Sequence, residues 1–170
     1  MVSQHILGWI DGELDETDWI ILQLVQANAR MSFAEIGRRT GLSAPAAAER
    51  LRRLEDAGII VGYHAQVCAE KIGYQLMAFI RVATTSEQCP IVSAFVAQLP
   101  EVLECHRVTG SDSFIIKVTV ASIEHLESVI DQLTPYVATT TSIVLSSAVS
   151  VGIVERFRVR SIARDSEMVR

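Results

Sequence analysis

The chain has 170 residues, 49% of them apolar and 6% aromatic, enough to build one or two small cored domains and too apolar for a disordered segment. Its net charge is −5, yet residues 30–53 hold six arginines against two glutamates, a local charge of +4 suited to phosphate. No apolar run approaches the roughly 18 residues of a membrane helix, and Cys68, Cys89 and Cys105 fit neither a disulfide framework nor a zinc site.

In chain order, MVSQHILGWIDGE has no basic residue before its apolar patch and does not read as a signal peptide. Residues 1–13 form an extension in which Ile6, Leu7, Trp9 and Ile10 suggest packing. The acidic start of LDETDWIILQLVQANARMS suits a helix N-terminus, and the spacing of Ile21, Leu24 and Val25 predicts a helix at about 15–28. Ser32 is placed to cap a second helix over Phe33–Arg39, with Glu35 completing a capping box. Gly41 ends it in a position that favours positive φ. In TGLSAPAAAERLRRL, Ser43 caps a third helix with Pro45 in its first turn, and Gly58 closes it. Three short helices with a tight glycine turn form a helix-turn-helix pattern.

On a helical wheel, Ala47, Leu51, Leu54 and Gly58 share the core face of the third helix. Ala46, Glu49 and Arg53 lie opposite, flanked by Pro45, Arg50 and Arg52. Small residues allow close approach to DNA, and an alanine methyl can touch a thymine methyl. Glu49 either accepts from a cytosine amine or orients an arginine. Arg50, Arg52 and Arg53 suit guanine or, more commonly, phosphate. Arg38 and Arg39 end the second helix, where they either hold the DNA backbone or simply complement the helix dipole. Ser43, Pro45, Ala46, Glu49, Arg50, Arg52, Arg53, Arg38 and Arg39 are the candidate DNA-binding set.

IIVGYHAQV then reads as two short strands around Gly62, a small wing or linker. From Tyr74 the periodicity gives strand QLMAFIRVAT, helix PIVSAFVAQL, strand VLECHRVTG, strand FIIKVTVAS, helix IEHLESVIDQL and strand TTTSIVLSSAV. This βαββαβ order is ferredoxin-like, with both helices on one sheet face. The other face carries Met77, Phe79, Cys105 and Ile115, or their strand neighbours. Either parity leaves it mostly apolar, which predicts a second copy packed against it. The arginine-rich residues 151–170 read as an edge strand or a loosely ordered terminus, with DNA contact as an alternative.

The four stretches LDETDWIILQLVQANARMS, GLSAPAAAERLRRLEDAGIIVGY, VTGSDSFIIKV and TTTSIVLSS stand in an order that resembles the leucine-responsive/asparagine-regulator (Lrp/AsnC, feast/famine) transcription regulators. The resemblance covers roughly residues 14–150. It implies an α+β chain: a winged-type helix-turn-helix at 14–62, a wing or linker at 63–73, and a ferredoxin-like domain for effector binding and oligomerisation at 74–150. It further implies double-stranded DNA as partner, an amino acid or related metabolite as effector, homodimers assembling into tetramers or octamers, and a cytoplasmic location without cofactor or metal. In the family the effector site lies between dimers. Carried over by position, Gly110 matches its turn glycine, and Thr139 and Thr141 match its Thr-x-Thr pair. Ser111, Asp112 and Ser113 complete the candidate set. Many members read Gly-x-x-Asp-aromatic at this turn. Here Ser113 stands at the Asp position, and Asp112 comes one residue early.

Two other functions are alternatives. One is a ligand sensor acting through protein partners instead of DNA. The other is a sirohaem-decarboxylase-like enzyme, which needs a convergent His/Tyr/Arg cluster. CHRVTGSDSFIIKV offers only His106 and Arg107, adjacent on a strand and so on opposite faces. A non-enzymatic regulator is the expectation.

Overall fold

The computed structural model describes residues 14–133, 135, 137–149 and 152–154. The first 13 residues and the tail beyond 154, with the expectations placed on them, lie outside the described residues. Two compact units divide the chain between Ala65 and Gln66, and residues 152–154 group with the first unit.

The first unit holds three helices: α1 (Glu16–Ala27), α2 (Phe33–Thr40) and α3 (Ala44–Asp56). The α1 start carries a reciprocal capping box that the sequence reading did not single out: Asp18 N–H donates to Asp15, and Asp15 N–H donates back to Asp18. Ser32 caps α2 by accepting from Glu35 N–H, but the expected box does not close, because the Glu35 carboxylate turns to Arg38 and Arg39 instead. Gly41 takes φ 73° after α2, and Ser43 caps α3 by accepting from Ala46 N–H. Ile21, Ile36 and Ala47 are fully buried where the helices meet, with Leu22, Val25, Leu51 and Leu54 around them. An alanine at the crossing permits close approach, so the outward face of α3 is fixed by what its inner face packs.

Residues 59–68 form no strand, so the two short strands expected around Gly62 are a correction, and Val61 and Val67 are exposed. A short 3-10 turn, Ala69–Ile72, leads into the second unit. There β1 (Leu76–Ala83), α4 (Cys89–Val96), β2 (Val102–Arg107), β3 (Phe114–Val120), α5 (Ile123–Leu133) and β4 (Ala138–Ile143) follow the expected order. The sheet runs β2-β3-β1-β4 and is antiparallel throughout. Ala78, Ile80 and Val82 of β1 and Phe114, Ile116 and Val118 of β3 pair in register and are buried with Val92 and Val96 of α4 and Leu126 and Val129 of α5. Ile91 of α4 and Ile123 of α5 are half exposed.

The alternate residues, Met77, Phe79 and Arg81 with Ile115, Lys117 and Thr119, form the opposite face. That face is more polar than expected. Lys117 donates to Glu104 at 2.8 Å, and His106 lies 3.2 Å from the same carboxylate. Lys117, with His106 second, holds the Glu104 carboxyl below its usual range. Cys105 is also a correction: a register shift between Val102 and Glu104 pairs it with Ile116, on the helix side.

Candidate nucleic-acid interface and effector site

The turn between α2 and α3 sets how α3 is presented. Leu42 N–H donates to Gly37 carbonyl at 2.9 Å, wrapping the chain around left-handed Gly41. Gly37, which the sequence reading passed over, is required by contact: a Cβ there stands 2.5 Å from the Leu42 carbonyl oxygen. No periodicity announces it, because the conflict is with backbone five residues on.

Along α3, Pro45, Glu49, Arg52 and Arg53 are exposed and Ala46 is half buried beside them. Arg52 donates to Glu49 at 2.8 Å on the exposed surface of α3, so the two side chains orient one another. No ion pair to Arg53 is present among the described residues, which leaves its guanidinium facing solvent. The Ser43 hydroxyl oxygen is occupied by the cap, while its O–H donor remains.

Arg50 departs from the expectation. Its Nη1 donates to Asp15 Oδ2 at 2.6 Å and to Asp18 Oδ1 at 2.8 Å, and its side chain is only 27% exposed. The two carboxylates raise the Arg50 guanidinium further above its usual range. Asp18 N–H, and then Arg50, hold Asp15 below the usual carboxylate range. Arg50 therefore staples α3 to the start of α1 across 32 to 35 residues. Arg50→Met is expected to lower stability by about 1–3 kcal/mol, because the buried Asp18 carboxylate loses its partner. Urea unfolding followed by circular dichroism measures this, and a wild-type midpoint contradicts it.

Arg38 and Arg39 both grip Glu35, at 2.7 and 2.6 Å, on the exposed surface of α2. Arg38, then Arg39, pull the Glu35 carboxyl down to about 2. Exposed pairs of this kind are weak and exchangeable, so phosphate can compete for either arginine while Glu35 keeps both pre-positioned.

The candidate effector residues gather at one end of the sheet. Val82, near the end of β1, pairs with Phe114 on one side and Thr139 on the other. Two strand spacings put those residues about 10 Å apart. Gly110 takes φ 117°, as a turn glycine. Thr139 and Thr141 lie opposite Val82 and Ile80 and are half buried on the helix side, whereas Thr140 is opposite Arg81 on the other face. Ser111 is exposed and Asp112 half buried. Ser113 is consumed structurally. Its N–H donates to Val82 carbonyl at 2.7 Å, its hydroxyl donates to Thr84 carbonyl at 3.0 Å, and it accepts from Thr84 N–H at 3.1 Å. Serine at this position ties the turn to the exit of β1 and has no donor left for a ligand. That correction needed the Thr84 pairing, which no spacing reveals.

The enzyme alternative finds no convergence: His106 and Arg107 pair with Ile115 and Phe114, on opposite faces. Among the described residues no group of His, Cys, Asp and Glu is arranged to hold a metal, and no helix is long and apolar enough to cross a membrane.

The AsnC-type helix-turn-helix domain profile matches residues 14–55, and the Lrp/AsnC ligand binding domain profile matches residues 77–152. The chain belongs to the Lrp/AsnC family. An uncharacterised HTH-type transcriptional regulator, YezC of Bacillus subtilis, is 43% identical over 135 residues, covering 79% of this chain and 96% of that protein. The regulator LrpA of Mycobacterium tuberculosis is 33% identical over 137 residues, covering 79% of this chain and 91% of that protein. Among solved structures, the regulator NMB0573 of Neisseria meningitidis, in complex with L-Met, aligns with TM-score 0.79 at 32% identity over 83% of this chain and 96% of its own. AsnC of E. coli aligns with TM-score 0.75 at 32% identity, over 82% and 97%. The Lrp/AsnC proteins are transcriptional regulators and not enzymes. The Ser43 cap, the Gly41 turn and α3 up to Glu55 all lie within the matched helix-turn-helix domain.

Proposed function

We propose that this chain is a cytoplasmic, sequence-selective DNA-binding regulator whose assembly or DNA affinity responds to an amino acid or a related small metabolite. The observation that carries the reading is the outward face of α3, where Arg53 is exposed beside Arg52 with no ion-pair partner among the described residues. With Ala46 and Pro45 at its entry and no amide side chain along it, α3 leans on phosphates, thymine methyls and DNA deformability. Arg38, Arg39 and the Ser43 hydroxyl hold the DNA backbone on either side. Arg50 stays with Asp15 and Asp18 and keeps α3 in place.

Two copies join through the sheet face bearing Phe79, Met77 and Ile115, and so present two α3 helices to a pseudo-palindrome. Pairs assemble further, and the effector sits at the sheet end formed by Gly110–Asp112 and the Thr139–Thr141 edge. Turn N–H groups suit its carboxylate, and threonine hydroxyls suit either end of an amino acid. That the N. meningitidis relative was solved with L-Met supports this ligand class. With Ser113 committed to Thr84, the ammonium group lacks the carboxylate that many members place there, so an effector with a weakly charged or absent amine is favoured.

Arg53→Ala is expected to weaken binding to the cognate duplex by about 1–3 kcal/mol if Arg53 meets a base. Footprint titration of the chain's own upstream DNA measures it, and unchanged affinity removes Arg53 from the interface. The effector claim is tested by thermal denaturation against each of the twenty amino acids and their 2-oxo acids. A ligand of the native state raises the midpoint by mass action; no shift with any of them rejects the class.

A further inference from the structure

The contact of Arg38 and Arg39 with Glu35 uses the atoms that a phosphate would use. Arg38 presents Nε and Nη2 as a fork to the two carboxylate oxygens, at 2.8 and 2.7 Å. Arg39 Nε donates to Oε1 at 2.6 Å. A guanidinium grips a phosphate through the same two-pronged contact. Both arginine side chains lie at the surface, 70% and 47% exposed, so a phosphate has access to each.

The same carboxylate has a second place to go. Glu35 is the third residue of α2, and Ser32 is the cap of that helix. From that position an acidic side chain reaches back to the N–H of the cap and closes a reciprocal box. Asp18 does this to Asp15 at the start of α1. Half of the box is already formed at α2, where Ser32 Oγ accepts from Glu35 N–H at 3.3 Å. The Ser32 N–H has no partner among the described residues.

We propose that Glu35 is a two-position gate on the DNA-backbone contact of α2. In the free chain it occupies Arg38 and Arg39. When phosphate takes those arginines, it swings back onto the Ser32 N–H and completes the cap. The gate rests on the reading of this chain as DNA-binding and adds to it a residue that acts through the two arginines. In the closed position the carboxylate cancels one of two positive charges, so the trio offers phosphate one net charge. A phosphate bound beside the carboxylate would set two anions against one guanidinium, which couples the entry of one to the departure of the other. Departure costs little, because exposed pairs are weak. The open position also receives the carboxylate at the positive end of a helix, with a free N–H to accept from. Glu35 stays ionised in both positions, so no proton moves. The consequence is a lowered affinity for any duplex, cognate or not, since phosphate contacts carry no sequence information.

Glu35→Gln removes the charge and keeps an acceptor for the Ser32 N–H, so the cap survives and the clamp does not. In fluorescence anisotropy, the full-length variant should bind its own upstream duplex several-fold more tightly at low salt, and a scrambled duplex of equal length likewise. Its log–log salt slope should be steeper by up to about one phosphate contact. Circular dichroism should show the fold retained. A side chain that only supports the fold would lower affinity when replaced. In the Arg38→Ala background the gain should be clearly smaller, because Arg38 makes two of the three bonds to the carboxylate. An equal gain there assigns the effect to general charge and overturns the gate. So does salt-dependent binding by the unaltered chain that Glu35→Gln leaves equal or weakens, a result under which the DNA-binding reading stands. No binding by the unaltered chain at low salt removes both.

Discussion

Replacing Gly37 by alanine is expected to lower the stability of the helical unit by roughly 1–3 kcal/mol and to weaken DNA binding in proportion, because the added methyl has no room. The sign makes this result diagnostic. Inside an exposed helix a glycine-to-alanine change normally stabilises by about 0.5–1 kcal/mol. Here the new Cβ meets the Leu42 carbonyl oxygen at 2.5 Å and the Ser43 carbonyl carbon at 3.3 Å, both of them backbone. Backbone cannot swing aside as a flexible side chain does. Relief requires opening the α2–α3 turn, which strains the Leu42 N–H bond to the Gly37 carbonyl and tilts α3 away from its packing through Ala47. Thermal denaturation with DNA-binding titration measures both effects. A midpoint equal to or above that of the unaltered chain contradicts the packing argument. Gly41→Ala is the internal comparison: nothing lies within 4 Å of its Cβ, so it carries only the left-handed strain of φ 73° and should cost less.

Phe79→Asp should dissociate the proposed pair of subunits while leaving each fold intact. Phe79 is 38% exposed at the middle of β1, on the face without helices, opposite Lys117 on β3 and Ser142 on β4. It is the largest apolar group on that face, with Met77 and Ile115 beside it. An aromatic anchor at an interface centre is worth 2 kcal/mol or more, so the dissociation constant should rise by roughly thirtyfold or beyond. The buried carboxylate adds to the loss. Sedimentation velocity over a concentration series reads it directly. An unchanged mass at every concentration removes this face from the assembly. The Lys117–Glu104–His106 cluster should be tolerant by comparison, because its members are already satisfied within one chain.

Features set by local rules were legible from sequence. The Ser32 and Ser43 caps, the Gly41 turn and the core stripe Ala47, Leu51, Leu54 depend on residues within a turn or two. The order of strands and helices from Leu76 to Ile143 was legible for the same reason. What escaped depends on partners distant in sequence. Arg50 looked outward on a wheel, but Asp15 and Asp18 stand 35 and 32 residues away and draw it inward. Ser113 looked like a ligand group until Thr84, 29 residues back, took both its hydroxyl bonds. Cys105 changed face through one register shift in β2, and a one-residue shift inverts every later side chain on the strand. The two strands around Gly62 did not form: Ile59 and Ile60 pack on the helical core, and among the described residues no strand pairs with the exposed Val61 and Val67.

The central claim, that the exposed arginines of α2 and α3 hold duplex DNA, is tested most directly by fluorescence anisotropy of the full chain with its own upstream duplex across a salt series. The expected result is binding that weakens linearly in log–log form as salt rises, with Arg38→Ala lowering the slope by about one phosphate contact. Failure to bind at low salt, or an affinity indifferent to salt, would contradict the account and favour a sensor that acts through protein partners.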